Sequence, residues 1–135
     1  DKEDVLVNLV EDAVPSVVAG MLADLPEDLD MRERLAELIQ RGLNFVSTDH
    51  ALGSMVMRDL PTLSPGAAAR VRAVHAPIER EILRLCRRGI ASGEFRSFEP
   101  EDAARLVYGV MMAASQTLLR DADAKQQVAR GDAPP

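Results

Sequence analysis

Flexible thioethers and a few isolated polar groups are the most chemically suggestive residues of this 135-residue chain. Met21, Met55, Met57, Met111 and Met112, with Leu43 and Phe45, can wall an apolar cavity that adapts to a guest, because unbranched methionine side chains repack readily. Arg58, His75, Ser115 and Gln116, with Asn44, are the polar groups that could orient a guest there. The plainer alternatives are that the methionines fill an irregular core and that the polar groups face solvent or bond locally.

The remaining reactive types are too sparse for other chemistry. His50, His75 and Cys86 fall short of the four ligands that a structural zinc site takes at set spacings. Asp49 adjoins His50, but adjacent residues seldom share one proton path. No nucleophile motif, glycine-rich phosphate loop or carboxylate pair accompanies them. No catalytic residue, metal or cofactor is therefore expected, with a small helical enzyme as the outlying alternative. Cys86 falls on an inward stripe and reads as a small buried hydrophobe in preference to a redox sensor. Arg80, Arg84, Arg87 and Arg88 sit beside Glu79 and Glu81 with no aromatic stacking platform, which describes a solvated face.

Composition sets the frame for these residues. The length suits one domain with a genuine core. Apolar residues make up 47% and aromatics only 3%, so the core must be built from Leu, Val, Ile, Ala and Met, the palette of packed helices. A formal charge of -6 argues against this stretch gripping a phosphate backbone. Cys86 has no internal disulfide partner, which fits a reducing, cytoplasmic setting. No signal peptide or membrane span is expected: the densest apolar stretch, Leu106 to Ala114, is about half of the roughly 20 residues a span requires.

Periodicity predicts an all-α bundle of five to six helices. The first covers Glu3 to Asp24, with Val5, Leu6, Leu9, Val10, Ala13, Val17, Met21 and Leu22 on its apolar side. Pro15 should kink or break it near Glu11 to Val14. Asp30 and Glu33 form a capping box for a helix from Met31 to about Ser47. Thr48 or Asp49 can cap a short helix from His50 to Leu60, which Pro61 ends. Ser64 and Pro65 start a long helix to about Ala91, with Pro77 inside it and Ser92-Gly93 as its stop. Glu99-Pro100 starts the last helix, whose apolar stretch reaches Leu119. The segment 125–135 carries no sustained stripe and should fray, so the folded unit is 1–124.

That last helix offers apolar groups in almost every direction from Ala103 to Leu119. A chain of this size can cover only one or two of its faces, so a second copy is the economical cover. The last two long helices would meet their mates as a dimeric four-helix bundle through Ile82, Leu85, Arg105, Tyr108, Val110 and Met112. Ala104, Gly109, Ala113 and Ala114 would let the helices approach closely. An ordinary monomeric bundle is the alternative.

Two runs carry a family resemblance. Leu83-Arg84-Leu85-Cys86-Arg87-Arg88-Gly89-Ile90-Ala91-Ser92-Gly93-Glu94-Phe95-Arg96 and Glu99-Pro100-Glu101-Asp102-Ala103-Ala104-Arg105-Leu106-Val107-Tyr108-Gly109 are similar to the carboxy-terminal domain of TetR-type regulators, in which a long helix ends in "G-I-x-x-G-E-F" and an acidic-proline start opens the dimer helix. Lys2-Glu3-Asp4-Val5-Leu6 resembles the "K-E-x-L" opening of that family's connector helix. The resemblance spans essentially the whole chain and is loosest between Leu25 and Ser64.

It implies the ligand-sensing and dimerising half of a transcriptional repressor, beginning just after a helix-turn-helix that alone would touch operator DNA. Residues 1–24 would be the connector helix, with Leu6, Leu9, Val10, Val17 and Met21 as its inner face and Pro15 as a hinge. A small apolar or aromatic effector would be its ligand, a second copy its partner, and no membrane would be involved. A dimerisation scaffold without a ligand is the rival reading.

Overall fold

The computed structural model describes residues 1–131, which fold into five α-helices. They are α1 (Lys2–Leu22), α2 (Met31–Thr48), α3 (His50–Asp59), α4 (Pro65–Ala91) and α5 (Pro100–Ala129), with a turn of 3-10 helix at Leu60–Thr62 before α4. No strand occurs among the described residues, so the all-α expectation holds. α1 packs mainly on α4, α4 also packs on α5, and α2 and α3 cover α5 from the other side.

Helix starts follow the side chains that can satisfy the free amides of a first turn. Asp30 accepts from Glu33 N at 2.8 Å while Glu33 accepts from Asp30 N at 3.0 Å, completing the capping box. A third acceptor arrives from far along the chain: Glu94 Oε2 takes the Met31 amide at 2.9 Å. Asp49 caps α3, accepting from Leu52 N at 3.4 Å, a role that occupies the carboxylate next to His50. Ser64 caps α4 through Ala67 N at 3.3 Å.

α1 ends at Leu22, two residues short of the expected Asp24, and what fastens that end lies in another helix. Asp24 takes a left-handed φ of 54°, a conformation that Asp tolerates better than most residues. The freed carbonyls of Met21, Ala23 and Asp24 converge on the Arg41 guanidinium of α2. One cation thus closes one helix and fastens it to the next.

α1 runs unbroken through Pro15, and α4 through Pro77. The expected break at Glu11 to Val14 is absent, and Pro15 lies on the exposed side. The buried stripe of α1 is Leu6, Val7, Val10, Val14, Val18 and Met21. That corrects the expected inner face: Leu9 is exposed and Val5 is 66% exposed, because the 3.6-residue period is satisfied better by Val7, Val14 and Val18. By length and composition α1 could also cross a membrane, its most apolar 18-residue window having a mean hydropathy of 1.6. The apolar stripe of α1 is enclosed by the bundle, and its other side carries Asp4, Asn8, Glu11 and Asp12.

α5 continues through Ala129, beyond the point where fraying was expected. Nothing in Ala122, Ala124, Lys125, Gln126 and Gln127 opposes a helix, and the chain turns only at Gly131 with φ 76°. Residues 132–135 of the expected tail lie outside the described residues.

Gly89 explains part of the "G-I-x-x-G-E-F" run. A Cβ there would stand 2.3 Å from two carbons of the Phe95 ring, and Phe95 N returns to Gly89 O at 2.9 Å. Gly93 makes the reversal at φ 81°. Gly89→Ala must displace that ring, so it is expected to lower the unfolding free energy by about 1–3 kcal/mol through overpacking, read from the urea midpoint. An unchanged midpoint would mean that the Phe95 ring moves freely.

Candidate ligand cavity and pairing face

All five helices contribute to one apolar, partly open cavity of about 110 Å³. Its walls are Val14 and Met21 from α1; Gly42, Phe45 and Val46 from α2; Leu52, Gly53, Val56 and Met57 from α3; His75 and Ile78 from α4; and Tyr108, Met111, Met112, Ser115 and Leu119 from α5. Two glycines make the space. A Cβ on Gly42 would lie 3.1 Å from Met21 Cε and 3.3 Å from Met111 Sδ, and one on Gly53 would lie 3.2 Å from Leu119 Cδ2.

Of the residues expected to line a cavity, Met21, Phe45, Met57, His75, Met111, Met112 and Ser115 do so. Leu43 and Met55 do not: both are half-buried, and Met55 packs against the core outside the cavity. Arg58 and Gln116 instead share an outer groove with Ser54, Arg120 and Asp123, and Asn44 is exposed, accepting from Gln40. Val14, Val46, Leu52, Val56, Ile78, Leu119, Tyr108 and both glycines line it without having been expected there. Glycine inside a helix gives only a weak signal of missing volume, and Tyr108 had been placed wholly on the pairing face.

Three polar groups interrupt the walls. His75 Nδ1 lies 3.0 Å from the Val71 carbonyl oxygen one turn back. A carbonyl can only accept, so Nδ1 is the nitrogen that donates, and the tautomer this selects has its acceptor lone pair on Nε2. The Ser115 hydroxyl donates to Met111 O at 2.8 Å, leaving its oxygen's lone pairs. Burial, aided by the Glu79 carboxylate beside it, pushes the Tyr108 phenol above its ordinary value and keeps it protonated. No Lys, Arg, Asp or Glu lines the cavity.

The other reactive residues lie apart. No carboxylate bonds either imidazole among the described residues, and no group of three or more His, Cys, Asp or Glu forms there. Cys86 is enclosed by the core, and burial raises its thiol, disfavouring the reactive thiolate. Arg84 pairs with Glu81 and Arg87 with Glu101, while Arg80 and Arg88 are exposed.

The outer side of α5 is a second feature. Leu106 is 60% and Val110 69% exposed, flanked by exposed Arg105, Gly109 and Ala113. Between α5 and α4 this face dips into a groove lined by Glu79, Leu83, Ala104, Arg105, Tyr108 and Gly109. The proposed pairing residues therefore divide. Arg105 and Val110 are outside, Tyr108 is shared between groove and cavity, and Met112 faces the cavity. Ile82 and Leu85 are corrected: both are 0% exposed within a single chain, so neither has surface left for a partner.

Residues 28–116 match the family described as "Tetracyclin repressor-like, C-terminal domain". No curated protein and no solved structure matches the chain. The match takes in more than half of the sequence, from the capping box of α2 to the cavity-lining part of α5, and the chain belongs to the tetracyclin repressor-like C-terminal domain family.

Proposed function

We propose that this domain is the effector-sensing and pairing half of a cytoplasmic transcriptional repressor, in which a small apolar or aromatic ligand in the cavity promotes release of DNA by a reading module elsewhere in the intact protein. It is not an enzyme. The observation that carries this reading is the cavity itself: an apolar space to which every helix contributes, including the connector α1 through Val14 and Met21.

That contribution gives occupancy a direct path to the connector. Pro15 follows Val14 and cannot donate to the Glu11 carbonyl, so α1 is weakest in its own hydrogen bonding beside the cavity. Elsewhere α1 is tied down. Glu3 accepts from Ser64 N and Oγ at 2.8 and 2.6 Å, and Glu11 accepts from Arg70 at 2.9 and 2.6 Å. These hydrogen bonds hold the carboxyls of Glu3 and Glu11 below their ordinary range. A ligand that shifts Val14 and Met21 would pivot a helix fastened at Glu3 and Glu11 before Pro15 and by Arg41 at its closing carbonyls, and ligand and operator would be coupled reciprocally by about 1–3 kcal/mol.

Pairing would use the outer α5 face and the α4 groove, doubled by a two-fold axis. The test is thermal unfolding against a library of small apolar and aromatic compounds. Stabilisation by some of them is expected, and Gly42→Val, which pushes a branched side chain into the cavity, is expected to abolish the response while leaving the helical content intact. A stable dimer that responds to no compound would favour the scaffold reading.

A further inference from the structure

We propose that the cavity takes a neutral, single-ring compound bearing one hydroxyl, a phenol by chemical class, whose O–H donates to His75 Nε2. This narrows the ligand-sensing reading above and rests on it.

Size limits the guest first. Apolar cavities of about 150 Å³ take up benzene, and this one is about 110 Å³. One six-membered ring is therefore the largest rigid body that fits after modest wall movement. The walls suit such a ring, since Phe45 offers an aromatic surface and Met111 and Met112 offer thioethers, whose sulfur atoms are attracted to ring edges. Charge limits it next. With no cationic or anionic side chain in the lining, a carboxylate or ammonium would be buried without a partner, at a large desolvation cost.

Hydrogen bonding decides the functional group. Val71 O takes the proton of His75 Nδ1, and Met111 O takes that of Ser115. The two groups along the cavity wall thus present lone pairs and ask for a donor. Tyr108 could have supplied a donor, but it is shared with the outer groove, where Glu79 stands beside its phenol. A hydrocarbon would leave the imidazole nitrogen without a partner, and an ether or ketone would set acceptor against acceptor. A hydroxyl supplies the donor that His75 needs and stays neutral, where an aliphatic amine would carry a charge that no side chain of the lining answers.

The test is calorimetric titration of the whole chain at neutral pH with phenol, toluene, anisole and benzoate. Phenol is expected to bind about fivefold to tenfold more tightly than toluene or anisole, the worth of one net hydrogen bond, with no benzoate binding. His75→Phe should erase that preference and leave toluene affinity nearly unchanged. Should that variant fold poorly, nitrogen-15 histidine spectra of the unaltered protein give the same answer, since phenol should shift the Nε2 resonance and leave Nδ1 protonated. Toluene binding as tightly as phenol, benzoate binding preferentially, or an Nε2 signal indifferent to phenol would overturn the hydroxyl assignment while leaving the sensor reading standing. If none of the four compounds binds, the phenol assignment fails, and the sensor reading fails with it only if the compound library above also leaves the unfolding temperature unmoved.

Discussion

Replacing Val110 by aspartate is expected to leave a folded monomer if, as proposed, the outer α5 face is the pairing seam. Val110 is 69% exposed in the single chain, so the new carboxylate is harmless to the monomer and becomes costly only when a second copy covers it. Two-fold symmetry would bring two such carboxylates into the same seam, where the flanking cation, Arg105, already pairs with Asp102 at 3.3 Å. Leaving a buried charge unpaired costs about 3–5 kcal/mol, and each 1.4 kcal/mol is tenfold in the dissociation constant. The constant should rise by at least about a hundredfold. Sedimentation velocity across a protomer concentration series reads it directly. A variant that sediments like the unaltered chain at every concentration would remove α5 from the interface. Met112 is not an equivalent probe, because its side chain faces the cavity.

Leu85→Ala should act on the other side of the same helix pair. Leu85 is wholly enclosed by its own chain, in a cluster with Ile82, Cys86 and Val71. Truncation removes buried methyl groups and leaves a void that close-packed neighbours refill only in part, a loss of about 2–5 kcal/mol for Leu→Ala. Chemical unfolding should show the loss at any fixed protomer concentration, and the dimer dissociation constant should change by much less than in Val110→Asp. If the constant moved as far as the stability did, Leu85 would touch the partner after all.

These two substitutions mark how far the sequence could be read. Local signals were strong where a side chain and its own backbone decide the outcome: Asp30 with Glu33, Ser64 with Pro65, and Ser92 with Gly93 set helix limits within a residue or two. They failed where the deciding partner is distant. Nothing near Met31 announces that Glu94 accepts from its amide, nor near Ala23 that Arg41 gathers its carbonyl. Rotational register was the next loss. α1 is so rich in valine and leucine that two apolar stripes compete, and only packing on α4 chooses Val7 and Val14 over Val5 and Leu9. On α4 Cys86 is buried as its inward position predicts, but Ile82 and Leu85 were assigned to a partner, since burial by one's own chain and by another look alike in a sequence.

The cavity was partly legible for a similar reason. Methionines on α1, α3 and α5 signal adaptable apolar walls, and Met21, Met57, Met111 and Met112 do meet there. Met55 lies outside because two residues along a helix turn a side chain by more than half a circle from Met57. The emptiness itself comes from Gly42 and Gly53, each placed opposite a long side chain of another helix, and that opposition exists only in three dimensions.

The ten residues of α3 contribute four walls of the cavity, yet none of them is fully buried. Its contacts with α5 include Gly53 resting on Leu119 and a hydrogen bond from Ser54 to Asp123 at 3.2 Å. Segments with few enclosed side chains detach locally at far lower free energy than the whole domain unfolds. α3 is therefore expected to lose its amide protection before the valine and leucine spine between α1 and α4 does, and the cavity that it walls would open with it.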